Sequence, residues 1–171
     1  MSVRGPMTRE RLGQDRVPEV YGDPGLLIPK VTGLGPLPGD AIGVIPHFVD
    51  KAAIEDARLP ENAVIIDVQA PWRHVVDQIR RCRAVVSSSL HGLIIAEAFD
   101  VPAVWISIGD NVIGAQFKFN DYYLGTGRQA KHPVSLPAGL EMATSRDLSS
   151  PHVDSTPIEG SFVAARQEMA G

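Results

Sequence analysis

The stretch Ala84–Val104, AVVSSSLHGLIIAEAFDVPAV, constrains the fold more than any other part of this chain of 171 residues. Ala84–Val86 is short and wholly apolar, and Val101–Ser107 is nearly so, as expected of strands covered on both faces. One helix-length segment separates them. The stretch therefore predicts a strand, a serine turn, a helix from about Leu90 and a second strand. The same alternation precedes it: Ala41–Ile45 reads as a strand, Lys51–Arg58 as a short helix, Ala63–Val68 as a buried strand and Trp72–Cys82 as an amphipathic helix. Strands alternating with helices imply βαβ units, parallel pairing and right-handed crossovers. The expected class is α/β, an open parallel sheet with helices on both faces.

The turn before the second helix carries the chemistry. Ser87, Ser88 and Ser89 supply hydroxyls where a helix start exposes unpaired backbone N–H groups, an arrangement that takes carboxylates and phosphates. His91 falls in the first helical turn, and an imidazole titrates near neutrality, so it can donate to a bound anion or protonate it. Gly92 lets another group approach closely. A second reading stays open, in which His91 is a first-turn residue hydrogen-bonded to a neighbouring loop. Pro46 and His47 end the strand Ala41–Ile45, and ligands gather at the carboxyl ends of parallel strands, so His47 and His91 are expected to share one cleft.

Elsewhere the signals are structural. Val3 and Arg4 read as the end of a short strand, Pro6 breaks it, and Thr8 is expected to cap a helix through Leu12. Asp23-Pro24 reads as an N-cap with proline at the first helical position, leading into Leu26–Val31. Asp77 and Arg81 stand four apart with the acid first, a favourable helical pair. The spacing Trp72, Val75, Val76, Ile79, Cys82 makes the single cysteine a buried core thiol rather than a nucleophile. Glu97 is expected to pair with a loop cation, with ribose binding as the alternative. Phe117–Arg128 reads as a helix packing back on the sheet. From about Lys131 the chain is rich in Pro, Ser and Thr, with residues 144–158 read as flexible and Phe162–Met169 as a short helix. These readings divide the chain into a domain over residues 1–132 and a partly flexible tail over 133–171.

Composition narrows the classes. The length suits one domain, and a net charge of −4 without a basic stripe gives no electrostatic reason to expect nucleic acid. One cysteine excludes an internal disulfide and suits a reducing cytoplasm. The N-terminus has no long apolar run, so any membrane contact is expected to be peripheral, at the inner face. No zinc-type Cys/His spacing, P-loop or GxGxxG fingerprint is present, so neither a metal nor a nicotinamide cofactor is implied.

Four segments in order, SVRGPMTRERL, YGDPGLLIPKV, GVIPHFVDK and SSSLHGLIIAEAFDVPAVW, together resemble the polysaccharide pyruvyl transferase family. The resemblance implies a Rossmann-like C-terminal domain of a two-domain, GT-B-type fold. It implies transfer of pyruvate from phosphoenolpyruvate onto two hydroxyls of a saccharide or lipid-linked oligosaccharide, as a cyclic ketal in exopolysaccharide biosynthesis. His91 matches the family histidine assigned as general acid, and Arg4 matches the arginine of the "RGP" segment, whose fork suits a carboxylate or phosphate. His47, Ser87, Ser88 and Ser89 are then substrate contacts, with Lys118 and Tyr122 in a second rank. Ser89 stands where many relatives carry arginine, so another cation must replace it, Lys118 and Arg128 being the candidates. The matching segments begin where a family member's N-terminal domain ends. The acceptor-binding half is therefore expected to lie outside these segments, and three readings stay open: a truncated product inactive alone, a fragment of a longer protein, or one half of a split enzyme completed by a separate chain or a second copy. Two alternatives remain: a nucleotide-sugar glycosyltransferase donor domain, with Glu97 on the ribose, and a non-catalytic half-domain.

Overall fold

The computed structural model describes residues 2–37, 39–55, 57–108 and 114–170. In chain order the helices are α1 (Pro6–Leu12), α2 (Ile28–Thr32), α3 (Lys51–Glu55), α4 (Trp72–Ile79), α5 (Leu90–Ala98), α6 (Ala115–Gly125), α7 (Leu136–Thr144) and α8 (Thr156–Ala170). The strands are β1 (Ala41–Ile45), β2 (Ala63–Ile65), β3 (Cys82–Ser87), β4 (Ala103–Ser107) and β5 (Val134–Ser135). They form one sheet in the order β2-β1-β3-β4-β5, and every pair is parallel. The chain is an α/β fold with an open, Rossmann-like sheet.

Alternation along β3 sorts the two faces. Val85 packs with Val75, Val76, Ile79 and Phe99 under α4 and α5, whereas Ala84 and Val86 point the other way, toward Ile54, Leu140 and Ala143. Period-two side-chain direction makes these opposite layers, so a strand apolar at every position needs helices on both sides. On the α5 side, Trp105 of β4 stacks on Phe119 of α6 with centroids 4.3 Å apart and planes within 6°.

Several local expectations shift. The helix over Trp72–Cys82 ends at Ile79, and Cys82 opens β3 instead, buried with its thiol against Gln78 O. Arg81 thus lies beyond the helix, and Asp77 pairs with Arg80, one residue nearer. The buried strand over Ala63–Val68 is shorter and lies at the sheet edge, so Val64 and Ile65 are exposed while Ile66 beyond them is buried. Asp67 ends it, accepting from Gln69 N–H and Lys51. The helix from Lys51 stops at Glu55. β5, α7 and α8 lie inside the stretch read as a tail, and Ile158 is fully buried.

The N-terminal segment is seated by close approach. Val3 bridges Tyr21 in parallel, Gly5 is the N-cap of α1, and Thr8 donates both its N–H and its hydroxyl to Asp121 of α6. Thr8 is therefore not the cap but the residue that ties α1 to α6. A side chain on Gly5 would fall 1.8 Å from Asp121 O, so glycine is required at that contact.

Candidate functional site

The strand order fixes where a ligand belongs. From β1 the chain crosses to β2 on one side, and from β3 it crosses to β4 on the other, so the loops after β1 and β3 diverge and leave a crevice at their carboxyl ends. Pro46–Asp50 and Ser88–Ser89 are those loops.

Hydrogen bonds stitch the two strand ends together. Ser88 N–H donates to Ile45 O at 3.1 Å. His47 N–H donates to Ser88 Oγ at 2.9 Å, and that hydroxyl donates to Asp50 Oδ2 at 2.7 Å. Ser87 Oγ accepts from Ser89 N–H at 3.1 Å and lies within reach of Ser89 O and Ile45 O. The hydroxyls of Ser87 and Ser88 are thus engaged inside the turn, and both residues are buried. They build the crevice rather than line it, because closing a turn between two buried strand ends leaves backbone groups that only a short hydroxyl can reach. Gly92 completes the packing: a side chain there would meet Ser87 Oγ at 2.7 Å and Ile45 Cγ2 at 2.8 Å.

Above this floor lies a hollow of about 310 Å³ whose lining includes His47, Phe48, Trp72, Ser89, His91 and Gly92. The two histidines expected in one cleft do face one cleft. His91 stands at the start of α5 with its side chain 67 % exposed. His47 is half-buried, with its ring against Phe48 at 4.5 Å and its Nδ1 accepting from Val49 N–H at 3.5 Å. Burial, then the charge of Lys118, hold its pKa below the ordinary imidazole value, with Asp50 opposing. Lys118, on α6, is near enough for its charge to act on His47 but is not among the residues that line the hollow.

Arg4 and His91 meet at a residue that the sequence marks only as a cap. Asp23 is buried, and its Oδ1 accepts from Gly25 N–H at 3.0 Å as an N-cap should. Its Oδ2 accepts from Arg4 Nε at 3.2 Å and lies 3.8 Å from His91 Nε2. Nothing in a single sequence tells that the second oxygen gathers Arg4 and His91. Arg4 spends Nε on Asp23, and its two terminal nitrogens have no partner among the described residues, so the fork stays open for an anion. Asp50 is the other residue missed: it is 1 % exposed, and its Oδ1 has no hydrogen-bond partner among the described residues.

Tyr122 and Arg128 lie elsewhere. Tyr122 is fully buried and donates to Glu97 Oε2 at 2.7 Å, while Arg128 takes both oxygens of Glu97 at 2.8 and 2.9 Å. Burial, and then the Glu97 charge, push the Tyr122 phenol far up. This is a satisfied core network, in which Glu97 has the loop cation expected for it. Tyr122 does not reach the crevice.

The polysaccharide pyruvyl transferase family model matches residues 1–111, which include the whole lining of the hollow as well as Arg4 and Asp23. An uncharacterized protein of Acanthamoeba polyphaga mimivirus is 34 % identical over 108 residues, covering 59 % of this chain and 38 % of its own. The succinoglycan biosynthesis protein ExoV of Rhizobium meliloti is 30 % identical over 149 residues, covering 80 % of this chain and 44 % of its own. The chain thus spans about two fifths of the length of these curated relatives. No solved structure matches.

Proposed function

The chain belongs to the polysaccharide pyruvyl transferase family, and on that premise we propose that it carries the donor site of an enzyme that transfers pyruvate from phosphoenolpyruvate to a saccharide. The product is a cyclic ketal made during exopolysaccharide synthesis. The observation that carries the reading is the pairing of His47 with His91 in one hollow at the β1/β3 divergence, with the open Arg4 fork held beside His91 by Asp23.

In this reading the fork of Arg4, Lys118 and the N–H groups of the first turn of α5 hold the phosphate and carboxylate. Arg4 and Lys118 then supply the positive charge that relatives draw from the arginine at the position of Ser89. His91 donates its proton to the methylene carbon C3, which makes C2 electrophilic. A saccharide hydroxyl attacks C2 and loses its proton, phosphate leaves with the C2–O electrons, and attack by a second hydroxyl, again losing its proton, closes the ketal. General acid catalysis contributes about 10²–10⁴-fold, so His91→Ala should lose roughly that much turnover in the assembled enzyme.

The acceptor is a saccharide or lipid-linked oligosaccharide, bound with the help of the N-terminal half of a GT-B-type fold. The work takes place on the cytoplasmic side of the membrane. Among the described residues, no helix is long and apolar enough to cross a membrane.

Calorimetry on the chain separates this reading from a nucleotide-sugar donor domain. Binding of phosphoenolpyruvate that weakens in Arg4→Ala, with no binding of a nucleotide-sugar panel, is the expected result. Binding of a nucleotide sugar and not phosphoenolpyruvate would overturn it. Burial of Glu97 and its engagement by Arg128 and Tyr122 weigh against a ribose contact.

A further inference from the structure

His47 has three constraints that a merely ligand-lining histidine does not need. Its backbone N–H is fixed by Ser88 Oγ, which is fixed in turn by the buried Asp50 carboxylate. One ring face rests against Phe48. Its Nδ1 accepts from Val49 N–H, the side-chain N-cap of the short helical turn Phe48–Asp50. A backbone N–H can only donate, so this contact favours an unprotonated Nδ1, and a neutral imidazole of that kind carries its proton on Nε2.

We propose that His47 is a fixed hydrogen-bond donor, with Nδ1 spent on Val49 N–H and Nε2–H presented to the hollow, and that it orients a bound anion without itself acting as acid or base. The charged and titratable groups acting on it are Lys118 from α6 and Asp50 from its own turn, with His91 of α5 in the same hollow. Burial and the Lys118 cation both favour the uncharged ring, against Asp50, so a neighbour's charge reinforces what the Val49 contact dictates. The consequence is a division of labour between two chemically identical side chains. His91, exposed at the start of a helix, is the one placed to exchange a proton with the donor; His47 supplies a directed N–H whose neutral state its surroundings favour.

The inference rests on the donor-site reading for the identity of the anion but not for the state of the ring, and the two can fail separately. Imidazole ¹⁵N spectra of the free 171-residue chain, recorded through a pH titration, read the ring directly. The expected result is the Nε2–H tautomer for His47, titrating below the ordinary value of about 6.5. An Nδ1–H tautomer, or titration above that value, overturns the proposal whether or not any ligand binds. Binding of phosphoenolpyruvate and of inorganic phosphate to variants supplies the second arm. His47→Gln places an amide N–H near the Nε2 position and should retain affinity within about threefold, whereas His47→Ala should lose about tenfold, the usual effect of removing one donor to a charged group. Equal affinity in wild type, Gln and Ala would show that Nε2–H meets no anion and would overturn the orienting role. If the spectra show Nε2–H but phosphoenolpyruvate does not bind while phosphate does, the ring assignment stands and the donor-site reading falls.

Discussion

Removing Arg128 would leave the Glu97 carboxylate, 2 % exposed, with only the Tyr122 hydroxyl as partner among the described residues. Arg128→Met should therefore cost about 3–5 kcal/mol in urea unfolding, because a buried charge loses its counterion. Adding Glu97→Gln should recover part of that loss, which identifies the penalty as an unpaired charge rather than lost packing. The same reasoning about desolvation applies to Cys82. Burial pushes its thiol up to about 11, so at pH 8 it should resist thiol reagents in the folded chain and react promptly once urea unfolds it. A single residue's environment thus decides whether its chemistry is expressed. Cys82 is silenced by the sheet that His47 and His91 stand above.

At the scale of elements, the site depends on how closely α5 and α1 can approach their neighbours. Gly92→Ala would push a methyl into Ser87 Oγ and Ile45, so the first turn of α5 must lift from the ends of β1 and β3. The expected cost is about 1–3 kcal/mol in stability, together with loss of phosphoenolpyruvate affinity by calorimetry. Thr8→Val removes one donor from buried Asp121 and should cost about 1–3 kcal/mol, with faster hydrogen exchange in α1. The apolar runs of β1, β3 and β4 and the start of α5 were legible in the sequence, because two-sided burial and a helix start leave local marks. The short β5 was not, since two residues carry no periodicity. Nor could β2 be read as an edge: its composition is that of a central strand, and only the strand order exposes Val64 and Ile65. At the site, His47 and His91 were legible as strand-end and helix-start residues. The serines divide for a physical reason: a hydroxyl suited to an anion is equally suited to a carbonyl, and those of Ser87 and Ser88 meet carbonyl and carboxylate partners inside the turn, while Ser89 lines the hollow. Asp23 and Asp50 escaped because their roles lie in contacts to residues far away in the chain.

For the whole molecule, stability should fall in acid in two stages. The folded value of His47 is lowered, so the unfolded chain protonates first; its contribution is intact above about pH 6.5 and is lost as pH falls from there toward the folded value. Asp67, held down by its hydrogen bond to Lys51, and Asp154, held down by Thr156, contribute above the ordinary 3.8 and lose that contribution as pH falls through their lowered values. Urea midpoints measured from about pH 7.5 to about pH 3 should show both declines, and His47→Gln should flatten the first. A last consequence concerns synthesis. Thr8 is anchored by a residue 113 positions later, so the segment that presents Arg4, which pairs early with Tyr21 and Asp23, is not tied to α6 on the ribosome until that helix has emerged. At about 5–20 residues per second that is a wait of roughly 6–23 s, during which the earliest part of the site to be made lacks its long-range anchor.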